Sequence, residues 1–137
     1  MMPLSEKGRF APPPRIAGRG QEVALSLAAW PHVHSRTHWL LGNEEVVDGA
    51  DFYVGGEELG HLHLDGTAHI AVGEELAAAI VEARLARRFH YSDAFVVFEV
   101  RTEDDVPHVL WLFELRYHAI LGLPVEELIA RIREAVG

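Results

Sequence analysis

Cysteine is absent from the 137 residues, and with it go disulfides, thiolate zinc sites, iron–sulfur ligation and a cysteine nucleophile. Any metal has to be held by His, Asp or Glu. Long apolar runs are also missing. The longest aliphatic stretch, residues 76–81, is far too short to span a bilayer, and the opening MMPLSEKGRF lacks the apolar segment of a signal peptide. A cytoplasmic protein with no membrane partner is the expectation. Positive charge is scarce: 12 Lys and Arg stand against 21 Asp and Glu, a formal charge of −9. That balance works against counterion release at a phosphate backbone, so no nucleic-acid partner is expected. No GxGxxG, no GKS/T and no G-x-S-x-G segment occurs, which leaves no nucleotide motif and no serine-nucleophile elbow.

Hydrophobic residues make up 49% of the chain and charged residues 24%, the balance of one ordinary globular domain. Residues 1–20 stand apart. Pro12, Pro13 and Pro14 forbid a helix or a central strand there, and Lys7, Arg9, Arg15 and Arg19 against Glu6 make the stretch net +3 on an otherwise acidic chain. The expected organisation is an extended Pro-rich arm over 1–20 and a single α+β domain over 21–137.

Apolar periodicity places the elements. Val23, Leu27 and Trp30 repeat at helical spacing before Pro31, predicting a helix over 21–30. Residues 32–41 alternate as a strand does, 51–54 and 57–64 form two more strands, and the acidic stretch 42–49 reads as a loop. Asp65-Gly66 then predicts a two-residue hairpin turn into a strand over 67–72. In that register Leu64 pairs with Thr67, and Leu59, His61 and His63 share a face with Ala68, Ile70 and Val72. Helices are expected over 73–87, from about 105 to 121 and from 124 onward, with a fifth strand over 94–101. The fold class is therefore α+β: an antiparallel five-stranded sheet with helices packed mainly on one face, a two-layer sandwich.

Chemistry concentrates in residues 55–66, GGEELGHLHLDG. His61 and His63 lie two apart on a strand, so both imidazoles leave the same face at a spacing that suits a shared divalent metal. Glu58 is expected on the opposite face. Gly60, between Leu59 and His61, marks either a close approach of another group or a bulge. A third ligand has to come from elsewhere, with His32, His34, His38 and His90 as candidates. A cupin-type metal motif begins in the same way, with Gly55 followed by His61 and His63, but Thr67 and Ala68 stand where its glutamate belongs. Ser92, inside His90-Tyr91-Ser92-Asp93, reads as part of a turn rather than a triad.

With Phe52, Gly55-Gly56, the block Glu58-Leu59-Gly60-His61-Leu62-His63, His90 with Ser92, and the ending Leu112-x-x-Leu115-Arg116-Tyr117, the chain from about 51 to 117 resembles a family of small bacterial and fungal domains labelled luciferase-like. The resemblance implies a shared domain and no established activity. The chain departs from the family's Pro-x-Ser-Gly-Trp segment, carrying Tyr91-Ser92-Asp93-Ala94-Phe95 instead.

Three functional readings follow. A small molecule or metal binds at the face carrying His61 and His63, with Glu58, Gly60 and His90 at its edge. Alternatively, a histidine serves as general acid or base in an enzyme. In the third, the second stripe of the 105–121 helix, His108, Trp111, Leu115 and His118, forms a homodimer contact.

Overall fold

The computed structural model describes residues 8–137, so the first seven residues of the expected arm lie outside the described residues. The elements run α1 (Gly20–Ala28), β1 (Val33–Leu40), β2 (Asn43–Val54), β3 (Glu57–His63), β4 (Thr67–Ile70), α2 (Glu74–Glu82), β5 (Arg87–Arg88), β6 (Val96–Glu99), α3 (Asp105–Ile120) and α4 (Val125–Val136). The fold is α+β, with an open antiparallel sheet in the order β1-β2-β3-β4-β6-β5.

Six strands replace the five expected from sequence, through the addition of β5, and β2 is longer than expected. The acidic 42–49 stretch is not a loop, because Asn43 to Gly49 extend β2 into a long hairpin with β1. The extra strand, β5, lies where the 73–87 helix was expected to end. That helix stops at Glu82, since Arg84 turns to a positive φ of 60° and the Leu85 N–H donates back to Ile80 O at 3.1 Å. This helix-ending turn usually carries glycine. An arginine in its place hides the stop.

The β3–β4 connection corrects the register. A type I′ turn needs positive φ at both central residues, and Gly66 (φ +93°) has it while Asp65 does not. The chain therefore forms a longer loop, in which His63 O accepts from the Gly66 N–H at 2.9 Å and Asp65 Oδ1 from the Thr67 N–H at 2.9 Å. His61 pairs with His69, and Leu62 with Ala68. A slip of one residue exchanges faces. His61 leaves the company of Ala68 and Ile70 and joins His69.

A second irregularity sits at Gly60. Phe52 pairs with Gly60 and Tyr53 with Glu58, so Leu59 is an extra residue in β3. The bulge returns Glu58 to the face of His61, which overturns the expectation that they lie on opposite faces. A Cβ on Gly60 would stand 2.2 Å from His69 O and 2.9 Å from Phe113 Cε1. Close approach and bulge coincide there.

Ala50, Phe52, Leu62, Ala68, Ile70 and Val96 of the sheet join Val109, Leu112 and Phe113 of α3 and Leu128 and Ile132 of α4 in one buried cluster. Burial of this kind stabilises by about 25 cal/mol per Å² of apolar surface. The second stripe of α3 is engaged within the chain: Leu115 is buried, His108 Nε2 donates to Leu85 O at 2.6 Å, and Arg131 of α4 donates to His118 Nδ1 at 2.9 Å. Along the outer edge of β1 runs the proline segment. Thr37 N donates to Ala11 O at 2.8 Å, Thr37 Oγ1 to Pro12 O at 2.6 Å, and Trp39 Nε1 to Arg9 O at 3.0 Å. Ile16, 1% exposed, then enters the core. Among the described residues no helix is long and apolar enough to cross a membrane.

Candidate functional site

Directly opposed residues of an antiparallel sheet share a face. The ladder therefore aligns Arg36, Asp51, His61, His69 and Val97 in one row, and His38, Gly49 and His63 in the next. Gly49 has no side chain, so nothing stands between His38 and His63 in their row. The outcome is a cluster of four imidazoles. The rings of His38 and His61 stack at 4.1 Å, those of His61 and His63 meet at 5.0 Å and 78°, and those of His63 and His69 at 4.5 Å and 65°.

Carboxylates back the rings. His38 Nδ1 donates to Asp51 Oδ1 at 2.7 Å, while Asp51 Oδ2 accepts from Tyr53 Oη at 3.2 Å. Asp48 Oδ2 lies 3.0 Å from His63 Nδ1 and 3.5 Å from His38 Nε2. Glu58 Oε2 lies 3.7 Å from His61 Nδ1, and His61 Nε2 meets His69 Nδ1 at 3.1 Å. Asp51 and Glu58 are each 1% exposed, and Arg36 beside Asp51 is buried too, its Nη2 donating to Gly8 O at 2.5 Å. Arg116 of α3 holds the bulge by donating from Nε to Glu58 O at 2.9 Å. Burial also draws down its affinity for its proton.

Burial is the largest influence on two of the imidazoles. It holds His61 down to about 4, against a partial lift from Glu58, and His69 down to about 3, with the neighbouring His61 adding to the effect. Both rings are therefore neutral at physiological pH, the form that ligates metals and accepts protons. Tyr53 is shifted upward by burial, with Asp51 and Glu58 adding to it.

His38, His61 and His63 each offer a ligand atom, and these atoms lie within 4.8 Å of one another, the one such group among the described residues. In both His38 and His63 an aspartate holds Nδ1, and His38 Nε2 also lies within 3.5 Å of Asp48, the carboxylate that holds His63. A carboxylate at Nδ1 is how imidazoles are oriented at metal centres. His38 and His61 are nearly parallel, 10° apart, so their in-plane lone pairs run side by side. One ring has to turn for both to address a common ion, and Asp51 fixes His38.

Of the residues singled out in the sequence, Glu58, His61 and His63 come together here. Gly60 sits at the bulge under them, with Phe113 on its other side. His90 is exposed in the 88–95 segment, and no hydrogen bond, ion pair or ring contact among the described residues joins it to the cluster. Of the other candidate ligands, His34 stacks on Tyr53 at 5.4 Å and His32 is exposed. The sequence reading missed His69, Asp48 and Asp51. His69 was hidden by the one-residue register error and Asp48 by the reading of 42–49 as a loop, while Asp51, on the expected 51–54 strand, carried no signal of an imidazole partner. On the side of β4, an aromatic wall adjoins the rings: Phe89 packs on His69 at 4.7 Å, and Phe95 lies 6.2 Å from His61.

Neither the curated proteins nor the solved structures contain a match to the chain. His38, Asp48 and Asp51 fall outside the one segment that a protein family describes. Residues 56–116, which run from β3 into α3 and carry Glu58, His61, His63 and His69, match the family model described as Luciferase domain, and it is to this family that the segment is similar.

Proposed function

We propose that this is a metal-binding domain, a sheet backed by helices in a two-layer arrangement, which holds a divalent transition-metal ion at His38, His61 and His63. The observation that carries the reading is the convergence of three imidazoles on one face, within 4.8 Å, two of them oriented by aspartates through the other ring nitrogen. Nitrogen donors without sulfur suit Zn²⁺ and its neighbours in the first transition row. Three protein ligands leave a fourth position open, the pattern of zinc sites that act on a bound water or substrate. Asp48, between His38 and His63, is placed to orient that water.

The test is metal content and calorimetric titration of purified protein. One Zn²⁺ per chain is expected, and His63→Ala and His38→Ala each abolish stoichiometric uptake while the protein still melts cooperatively. Uptake that survives both substitutions rules the site out.

A second reading has its own support in the 3.0 Å contact of His63 with Asp48. A carboxylate that orients a partly exposed imidazole makes a general base without any metal. Activity that persists in chelator and disappears in Asp48→Asn would favour it.

A further inference from the structure

Beyond the histidines, the fold contains a pocket of about 510 Å³ between α2 and the 88–95 segment. Its walls are Ala77, Ala78, Val81 and the ring of Phe95. Phe95 is shared: it lines this pocket, and its ring lies 6.2 Å from that of His61 and 6.0 Å from that of Phe89, which in turn packs on His69 at 4.7 Å. Pocket and histidine cluster thus meet at Phe95.

The charges at the rim select what enters. Glu74 and Glu82 are exposed there, and the one cation of the lining among the described residues, Arg88, is 3.5 Å from Asp93. The next cation along β5, Arg87, donates to Glu99 at 2.9 Å. An anionic ligand would meet two uncompensated carboxylates and lose its hydration against alanine, valine and phenylalanine, which is costly. An uncharged ring meets none of these penalties, and the volume lies within the range of small-molecule sites.

We propose that this pocket holds an uncharged aromatic group of a small-molecule ligand, whose remaining part passes Phe95 to reach His61 and His69. The inference rests on the histidine face being the reacting or binding centre, but it does not depend on a metal being there. The pocket sets which molecules are accepted, and the imidazoles set what happens to their polar end.

Two fluorescent probes that share one ring system test this with the full chain. N-phenyl-1-naphthylamine is uncharged, and 1-anilinonaphthalene-8-sulfonate is the same frame with a sulfonate. The neutral probe is expected to bind at least about tenfold more tightly, from the desolvation cost of the anion. Ala78 is exposed on α2, so Ala78→Trp fills the pocket mouth without disturbing the core, and it should weaken the neutral probe by at least about tenfold. Equal affinity for the two probes, or unchanged affinity in Ala78→Trp, overturns the pocket assignment. In metal-free protein, the ring current of the bound neutral probe should shift the imidazole C–H resonances of His61 and His69 and leave His118 where it was. Binding without those shifts overturns the reach to the histidines. Zinc content measured on the same wild-type and Ala78→Trp samples reports separately on the metal centre, so its failure and the failure of the pocket are read from different data.

Discussion

His61 and His69 face each other across the β3–β4 ladder, Nε2 to Nδ1 at 3.1 Å, and both are held neutral by burial, at about 4 and about 3. The unfolded chain binds protons at these positions near the ordinary value of about 6.5. Between that value and the folded ones the unfolded state carries more protons, so stability rises with pH across the window. Stability should be complete above about pH 6.5 and decline as the pH falls toward 4, with uptake of about two protons on unfolding near pH 5. Calorimetric melting in chelator at several pH values measures this. A melting temperature unchanged between neutral pH and pH 4.5 would contradict it.

The Asp51 carboxylate holds His38 through one oxygen and Tyr53 through the other. Asp51→Asn keeps the shape but removes the charge that orients the imidazole, and zinc affinity should fall by about 10- to 100-fold. Tyr53→Phe removes only the second bond and should leave zinc affinity within about threefold, because the His38 contact is untouched. Parallel titrations of the two variants decide the matter, and equal losses would show that the carboxylate acts through packing alone.

At Gly60, φ is +150° and an added Cβ would lie 2.2 Å from His69 O. Relief has to come from backbone, which cannot move without disturbing the β3–β4 ladder. Gly60→Ala should cost at least about 2 kcal/mol, from strain and overpacking together. Urea denaturation reads this directly, and a loss below about 0.5 kcal/mol, the level of an ordinary surface change, would show that the bulge relaxes freely.

Gly49 stands between His38 and His63 in their row, and a Cβ there would come within 1.9 Å of Leu62 O. Gly49→Ala should therefore force β2 and β3 apart and lower zinc affinity by about tenfold or more through displacement of the flanking rings. Zinc binding at wild-type affinity in a folded Gly49→Ala protein would count against the proposed ligand set.

Much of the fold was legible because apolar spacing reports burial: α1, α3, α4 and the strands β1, β3 and β6 all lie where periodicity places them, to within a few residues. What was illegible depended on single backbone torsions. Asp65 adopts negative φ where the hairpin rule called for positive, and Arg84 adopts positive φ where nothing in its side chain signals it. The first moves the β4 partner of His61 by one residue. The histidine pair itself could be singled out from spacing, as could His38 among several candidates. Its aspartates could not, because carboxylates in an acidic stretch look the same whether they face solvent or an imidazole.

The proline segment along β1 has a consequence for how copies of the chain meet. A sheet edge with free N–H and C=O groups invites a strand from another molecule. Here one margin already has residues 9–12 laid against it, ending in Pro12, which has no N–H to offer, and the opposite margin ends in two arginines, Arg87 and Arg88. Neither border is a template for fibre growth. Proteolytic removal of the segment would bare Thr37 and Trp39 together, turning a self-limiting sheet into one able to polymerise.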